Sequence, residues 1–203
     1  MKLFHAVGSP FVRKCLVCAH ELNLQERLEL APAAPSPIKR DRALVALNPL
    51  GTVPTLMTEE GISLYDSPVI CEYLNSVGDG RLLPASGAKR WAVLVDQALA
   101  DGIMDAALST RYETAVRPEP LRWSEWVAGQ LDKVGSGVTE LERRAAELGD
   151  RIDIGTIAMG CALGYLDFRF ASLGWPKSAP SLASWFERFS QRESMVATRL
   201  PAS

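Results

Sequence analysis

The chain has 203 residues, 47% of them hydrophobic, and its 22 basic and 24 acidic residues give a net charge of −2. This near balance holds in both halves of the chain and argues against a nucleic acid or an anionic membrane surface as a partner. No apolar run is long enough for a signal peptide or a membrane span, and four cysteines in such a chain indicate free thiols in a reducing cytoplasm.

Strand and helix signals alternate over residues 1–78 and predict a small α/β sandwich of order βαβ-α-ββα. Ser9 and Ser67 are the expected N-caps of the first and last of its helices, because a proline follows each in the first turn. The predicted elements are strands over 2–6, 27–30, 55–57 and 62–64, and helices over 10–21, 38–47 and 67–76, with a proline-rich loop over 31–37.

A linker rich in glycine and proline is expected over 79–87, and strand signals stop after it. Apolar periodicity then predicts helices only, over 89–116, 121–148, 152–170 and 181–194. The third of these is nearly apolar all round in its first half, which is typical of a helix in the middle of a bundle. Asp153 and Thr156 at its start have the residue types of a capping box in exchanged positions.

Two motifs together suit recognition of a small acidic peptide. Val53-Pro54 lies between a turn and a strand, where a cis proline would leave the backbone groups of Val53 free to pair with an extended peptide. Asp66-Ser67 places an acid beside a helix start. The Ser67 hydroxyl and the free N–H groups after it can bind a carboxylate, while Asp66 pairs with an ammonium. The simpler interpretation of Asp66-Ser67 alone is a turn acid before a helix cap.

Ser9 and the cysteines are the candidates for sulfur chemistry. A hydroxyl at a helix N-terminus stabilises an anion, and one such hydrogen bond, worth roughly 1.5–3 kcal/mol, lowers the pKa of a bound thiol by about one to two units. Taken alone, Ser9 is more simply a helix cap. Cys15 and Cys18 have the spacing of a redox dithiol, but Cys15 lies more than a turn inside the helix, so we interpret both as buried structural thiols. Cys71 and Cys161 are expected in the core as well.

No His, Cys or carboxylate cluster has metal-ligand spacing, so no metal site is expected. On the first long helix, the small residues Ala98, Gly102 and Ala106 form a stripe that allows another helix to approach closely. Several aromatic and cationic residues of the helical half are expected in the core or at an interface, with a few lining an apolar pocket: Tyr112, Trp123, Trp126, Tyr165, Phe168 and Arg169.

With Ser9-Pro10-Phe11, the segment from Asn48 to Pro54 and Tyr65-Asp66-Ser67 in this order, the chain resembles a bacterial glutathione S-transferase over nearly its full length. The resemblance extends to residues 164–169 in the buried helix. It implies a thioredoxin-like domain over 1–78 that binds glutathione, the linker over 79–87, and an all-helical domain over 88–203 that helps to bind an apolar co-substrate.

The resemblance also implies roles for individual residues. Val53, before a cis Pro54, would pair with the cysteinyl backbone of glutathione, Asp66 and Ser67 would hold its γ-glutamyl end, and Ser9 would donate a hydrogen bond to its thiolate, as in the serine-type members. The cations expected to meet the glycine carboxylate are Lys39 and Arg40, and the spacing does not choose between them. Asp66 departs from the pattern, since many members have Glu there, and Asp153 and Thr156 reverse the usual order of hydroxyl and acid.

The predicted function is transfer of glutathione to a small apolar electrophile by a homodimer, without a metal. The stripe of Ala98, Gly102 and Ala106 is the expected place for a dimer contact. Ser9 stands where the cysteine-type members have a thiol, which favours conjugation over thiol exchange. Two alternatives stay open: a non-catalytic member that binds glutathione or a protein, and a glutathione-dependent reductase of disulfides or peroxides.

Overall fold

The structure, a computed structural model, describes residues 1–200, and the chain divides into two units. The first consists of residues 1–93 with 193–200, and the second of residues 94–192. The first contains a small mixed sheet with helices, and the second is all-helical, so the predicted fold class is confirmed.

The N-terminal unit is built on a four-stranded sheet of order β2-β1-β3-β4. Strand β1 runs parallel to β2 and antiparallel to β3, which in turn is antiparallel to β4. Helices α1 and α3 pack against each other, and the short α9 packs against α1. The elements are β1 (Lys2–His5), α1 (Pro10–Glu21), β2 (Glu29–Pro32), α2 (Arg42–Leu47), β3 (Thr55–Met57), β4 (Ser63–Leu64), α3 (Ser67–Val77) and α9 (Glu193–Ala197).

Two predicted boundaries in this unit are wrong for local reasons. The second strand begins at Glu29 because Gln25–Arg27 forms a 3-10 turn, and it continues to Pro32, which an edge strand tolerates. The helix predicted over 38–47 begins only at Arg42. Ahead of it, the Asp41 carboxylate accepts the N–H groups of the first turn and becomes the N-cap.

The helical unit contains α4 from Leu94 onward, together with α5 (Ser124–Leu148), α6 (Ile154–Phe170), α7 (Trp175–Ser178) and α8 (Pro180–Phe189). Helix α4 (Gly87–Arg111) starts in the N-terminal unit and ends before the predicted 116, since Tyr112–Val116 forms a π-helical turn. A 3-10 turn at 119–121 delays α5, and the predicted last stretch over 181–194 is divided between α8 and α9.

The start of α6 confirms the predicted capping box. The Asp153 carboxylate accepts the Thr156 N–H at 2.9 Å, and the Thr156 hydroxyl accepts the Asp153 N–H at 3.0 Å. All residues from Ile154 to Leu163 are buried, as a helix that is apolar all round requires. Nearby, the buried Asp96 accepts hydrogen bonds at 2.6 Å from both Arg144 and Arg151.

The small-residue stripe on α4 does not lie on one surface. Ala106 is buried, whereas Ala98 and Gly102 line a groove of about 400 Å³ between α4 and α5. The close approach occurs within the chain itself: a Cβ on Gly137 of α5 would lie 2.6 Å from Cγ1 of Ile103. Gly137 is therefore the residue that lets these two helices pack together.

Candidate functional site

Strand pairing gathers the predicted site residues at one edge of the N-terminal sheet. The register places Phe4 of β1 opposite Thr55 of β3, and Leu64 of β4 opposite Leu56 of β3. The chain therefore leaves β1 and β4, and enters β3, at the same edge. Because β2 runs parallel to β1 and ends opposite His5, the loop after β2 starts there too. The four segments that begin or end at this edge carry the predicted site residues Ser9, Arg40, Val53 and Asp66.

Ser9 is the N-cap of α1, as predicted. Its hydroxyl oxygen accepts the Val12 N–H at 3.3 Å, and Pro10 occupies the first turn, where no N–H is needed. A serine hydroxyl can accept and donate at the same time, so its proton stays available to an anion. Ser9 is half-buried and thus combines a fixed position with access.

The turn before β3 presents the backbone of Val53. The Val53–Pro54 peptide bond is cis, as predicted. Within residues 1–200, neither the N–H nor the carbonyl of Val53 forms a hydrogen bond. An extended ligand could therefore pair with both groups.

Asn48 organises this turn, and the sequence analysis assigned it no such role. Its side chain is fully buried and donates to the Thr52 carbonyl at 3.2 Å and to the Thr55 hydroxyl at 3.0 Å, while its own oxygen accepts the Leu50 N–H at 3.0 Å. Gly51, at φ +65°, completes the turn, and a Cβ there would lie 3.0 Å from Val45 Cγ2.

The N-cap of α3 is Asp66, not Ser67 as the sequence predicts. The Asp66 carboxylate accepts the Ser67 N–H, and the Asp66 side chain is exposed. Tyr65–Asp66 is a second cis peptide bond. Ser67 is fully buried, and its hydroxyl has no hydrogen-bond partner among residues 1–200. An unpaired buried hydroxyl typically costs about 1–3 kcal/mol, which a ligand atom at this position would offset.

Lys39 and Arg40 are both exposed but differ in their contacts. The Arg40 guanidinium donates to the Pro49 carbonyl and so lies against the turn that leads to Val53. Among the described residues 1–200, the hydrogen bond of Lys39 is that of its backbone N–H, which donates to the Ser36 hydroxyl at 3.0 Å. Arg40 is thus the cation that contacts the Asn48–Gly51 turn.

The cysteines are buried free thiols, which confirms the structural interpretation of Cys15 and Cys18. Their third neighbour is not evident from the sequence: Cys71 of α3 lies 3.5 Å from Cys18 and 3.9 Å from Cys15, sulfur to sulfur. Burial is the main cause that raises the pKa of Cys15, and the hydrogen bond to Cys71 is the main cause for Cys18. Protonated thiols inside the core are not nucleophiles at neutral pH.

Among residues 1–200, no group of three or more His, Cys, Asp or Glu side chains is arranged to hold a metal ion. In that part of the chain, no helix has the length and apolar character to cross a bilayer.

Two arginines of the helical unit lie at helix ends, Arg111 at the end of α4 and Arg169 in the last turn of α6. Arg111 and Arg169 interact electrostatically with each other and with Tyr165, which is 2% exposed. Burial, with a smaller contribution from the charge of Arg111, lowers the pKa of Arg169. Burial raises the pKa of Tyr165, and both arginines oppose this shift. The sequence pattern indicated Tyr165 and Arg169 but not Arg111, whose electrostatic influence on them arises from the fold.

Known proteins share this architecture and much of this sequence. The glutathione S-transferase N-terminal domain family matches residues 8–77, and the corresponding C-terminal domain family matches residues 124–188. The uncharacterised GST-like protein YibF of Escherichia coli K12 is 35% identical over 205 residues, with 99% of each chain covered.

Two crystal structures of a glutathione transferase family member from Pseudomonas fluorescens Pf-5 are also similar to this chain. One, with bound glutathione, has a TM-score of 0.96 at 45% identity and covers 99% of each chain. The other, with bound S-(propanoic acid)-glutathione, has a TM-score of 0.92 at 44% identity and covers 100% of each chain.

Proposed function

Because the chain belongs to the glutathione S-transferase family, we propose that it binds glutathione at the sheet edge of its N-terminal unit and transfers it to an electrophilic carbon. One observation supports the proposal above all: three groups lie on segments that meet at that edge. They are the Ser9 hydroxyl, the N–H and carbonyl of Val53, and the exposed carboxylate of Asp66. Glutathione needs all three, since it is a peptide with a thiol and an ammonium.

Each group would meet one part of the ligand. The free N–H and carbonyl of Val53, ahead of Pro54, pair with the cysteinyl residue in the manner of an added strand. Asp66 pairs with the γ-glutamyl ammonium, and the Ser67 hydroxyl turns from its buried position to donate to the neighbouring carboxylate. Arg40 is the better candidate for the glycine carboxylate, because it already contacts the turn before Val53.

Ser9 would act on the sulfur. Its hydroxyl oxygen already accepts the Val12 N–H, which leaves the proton to donate to the thiolate. A thiolate stabilised in this way uses an electron pair to form the S–C bond, and a halide leaves with its own bonding pair; with an activated alkene, the neighbouring carbon takes a proton instead. The electrophile would bind to the helical unit.

Two observations favour conjugation over the alternatives. Residue 9 is a serine, which has no thiol, and Cys15, Cys18 and Cys71 are fully buried, so none of these thiols is accessible as the nucleophile that a disulfide reductase would use. In addition, the ligand of one Pseudomonas fluorescens relative carries a carbon substituent on the glutathione sulfur, as a conjugation product does. We also propose a homodimer in a reducing cytoplasm, to be tested by light scattering and fractionation.

The test combines binding and turnover. Calorimetry should detect glutathione binding, and 1-chloro-2,4-dinitrobenzene should be conjugated. Ser9→Ala should lower kcat/KM by about tenfold to a hundredfold, because it removes one hydrogen bond to a charged atom, and should move the thiol limb of the pH–rate profile up by roughly one to two units. Ser9→Thr keeps hydroxyl and cap and serves as the control.

The outcomes separate the candidate functions. Binding without turnover of any electrophile would leave the non-catalytic alternative. Turnover that Ser9→Ala does not change would remove the role of Ser9. No binding of glutathione would refute the proposal.

A further inference from the structure

We propose that helix α9 fixes the position of α1, and with it the Ser9 hydroxyl, through two buried hydrogen bonds, one made by Arg13 and one by Glu21. We call these two bonds the α9 contact. The effect on Ser9 rests on the proposed transferase function, whereas the α9 contact itself does not. Arg13 and Glu21 act through α1 and are therefore positioning residues.

The first argument is the hydrogen bond near the start of α1. Arg13 is 7% exposed, and its Nη2 donates to the Met195 carbonyl of α9 at 3.1 Å. A buried guanidinium is costly unless it is hydrogen-bonded, and a carbonyl at the end of a helix needs a donor from outside the helix, so each group satisfies the other. The backbone N–H of Arg13 in turn donates to the Ser9 carbonyl at 3.1 Å. Arg13 therefore links α9 to the residue that caps α1.

The second argument is a hydrogen bond at the other end of α1. The Ser194 hydroxyl of α9 donates to the Glu21 carboxylate at 2.6 Å, and both residues are buried. Arg13 and Glu21 lie about two turns apart on α1, or roughly 12 Å along its axis. Two attachments at this separation fix the tilt of a helix as well as its position, which one attachment could not do.

The third argument is that α1 is held on two faces. Cys15 and Cys18 contact Cys71 of α3 through their sulfurs, and by helical periodicity they lie roughly half a turn around α1 from Arg13. Helix α9 therefore packs on a different face of α1 from α3. With five residues, α9 is too short to be stable alone, so it depends on the packing that leaves Met195 only 1% exposed.

The position of α1 matters because a hydrogen bond to sulfur is sensitive to geometry. Ser9 caps α1, so a small shift of this helix moves the hydroxyl away from the glutathione thiolate. Val53 and Asp66 precede other elements, β3 and α3, and would keep their places. Loss of the α9 contact should therefore weaken the stabilisation of the thiolate, which raises the pKa of the thiol, while glutathione still binds.

The test uses Arg13→Met and Ser194→Ala, which each remove one of the two hydrogen bonds. Both should lower kcat by about threefold to tenfold, move the thiol limb of the pH–rate profile up by roughly half a unit to one unit, and leave KM for glutathione within about twofold. Arg13→Lys keeps a cationic donor and should fall between Arg13→Met and wild type. If Arg13→Met does not fold, Ser194→Ala carries the test.

Asn75→Ala is the matched control, because Asn75 is also a buried polar residue of the N-terminal unit but lies near the far end of α3. Its side-chain oxygen accepts the Leu82 N–H at 2.9 Å. This variant should lower the urea midpoint and leave kcat and the thiol limb unchanged. A loss of stability without a shift of the thiol limb in Ser194→Ala, or the same shift in Asn75→Ala, would overturn the proposed effect on Ser9.

Hydrogen exchange in the free protein tests the α9 contact without any reaction. In Ser194→Ala, the amides of residues 12–16 and of α9 should exchange about tenfold faster than in wild type, while those of α3 keep their rates. If no electrophile reacts, or if Ser9→Ala does not change turnover, this pattern would keep the α9 contact while the role of Ser9 fails. Unchanged exchange in α1 and α9 would overturn the α9 contact itself.

Discussion

Among residues 1–200, the unpaired groups at the candidate site of the N-terminal unit are the main-chain N–H and carbonyl of Val53 and the buried hydroxyl of Ser67, whereas the helical unit has the guanidinium groups of Arg111 and Arg169, which form no ion pair or hydrogen bond. Strand pairing fixes the position of Val53, so few side-chain changes can move it. By contrast, a single substitution removes the guanidinium of Arg111 or of Arg169. Recognition by the backbone suits a constant ligand, and recognition by side chains suits one that varies between relatives.

The strongest test of this contrast is Asn48→Ala, which acts on the backbone through a buried side chain. The substitution leaves the Leu50 N–H without its acceptor and removes the donor to the buried Thr55 hydroxyl, while the Thr52 carbonyl keeps its bond from the Thr55 hydroxyl at 2.9 Å. We expect a loss of roughly 1–3 kcal/mol in the free energy of unfolding, because a polar group left without its partner costs about 1–3 kcal/mol, together with weaker glutathione binding. Urea titration and calorimetry measure the two effects.

Asn48→Asp is the control for this change, since it keeps the oxygen that accepts the Leu50 N–H and loses only the donors. It should fall between wild type and Asn48→Ala. If Asn48→Ala bound glutathione as tightly as wild type, the backbone of this turn would not be part of the site.

Local signals made much of the N-terminal unit predictable. Helix α1 matches its predicted bounds at both ends, because Ser9 and Pro10 determine its start. Strand β3 also matches, and Asp153 with Thr156 caps α6 as expected. Each of these features depends on residues within one turn of each other, which a sequence displays directly.

Features that depend on distant residues could not be predicted. Cys71 joins Cys15 and Cys18 only because α1 and α3 pack together. The charge of Arg111 acts on Arg169 only through the fold of the helical unit. The sequence also did not show which of two adjacent residues would cap α3. Asp66 is the N-cap instead of Ser67, because a carboxylate accepts a backbone N–H more strongly than a hydroxyl does.

A smaller effect should come from Gly137, which tests whether α5 is fitted closely to α4. A Cβ at this position would lie 2.6 Å from Ile103 Cγ1 and 2.8 Å from its Cδ1, so Gly137→Ala should cost about 1–2 kcal/mol even after the gain in helix propensity. On the same helix nothing lies within 4 Å of a Cβ at Gly135, so Gly135→Ala should stabilise by roughly 0.5–1 kcal/mol. Thermal unfolding of both variants checks the opposite signs.

The smallest expected effect concerns Glu113, which ties the π-helical turn after Arg111 to the segment before α5. Its carboxylate accepts hydrogen bonds from Arg117 Nε at 2.7 Å and from the Trp123 N–H at 2.8 Å. Both bonds lower the pKa of Glu113 from its ordinary value, and the bond from Arg117 has the larger effect. A carboxyl group whose pKa is lowered by folding stabilises the fold at a pH above its pKa in the unfolded chain. This stabilisation is lost as the pH falls through its pKa in the folded protein. Glu113→Gln should therefore lower the urea midpoint at about pH 7, and its difference from wild type should shrink below about pH 4.5. A difference that stayed constant down to about pH 3 would mean that the charge of Glu113 does not hold this segment, and that the end of α4 beside Arg111 is fixed by packing alone.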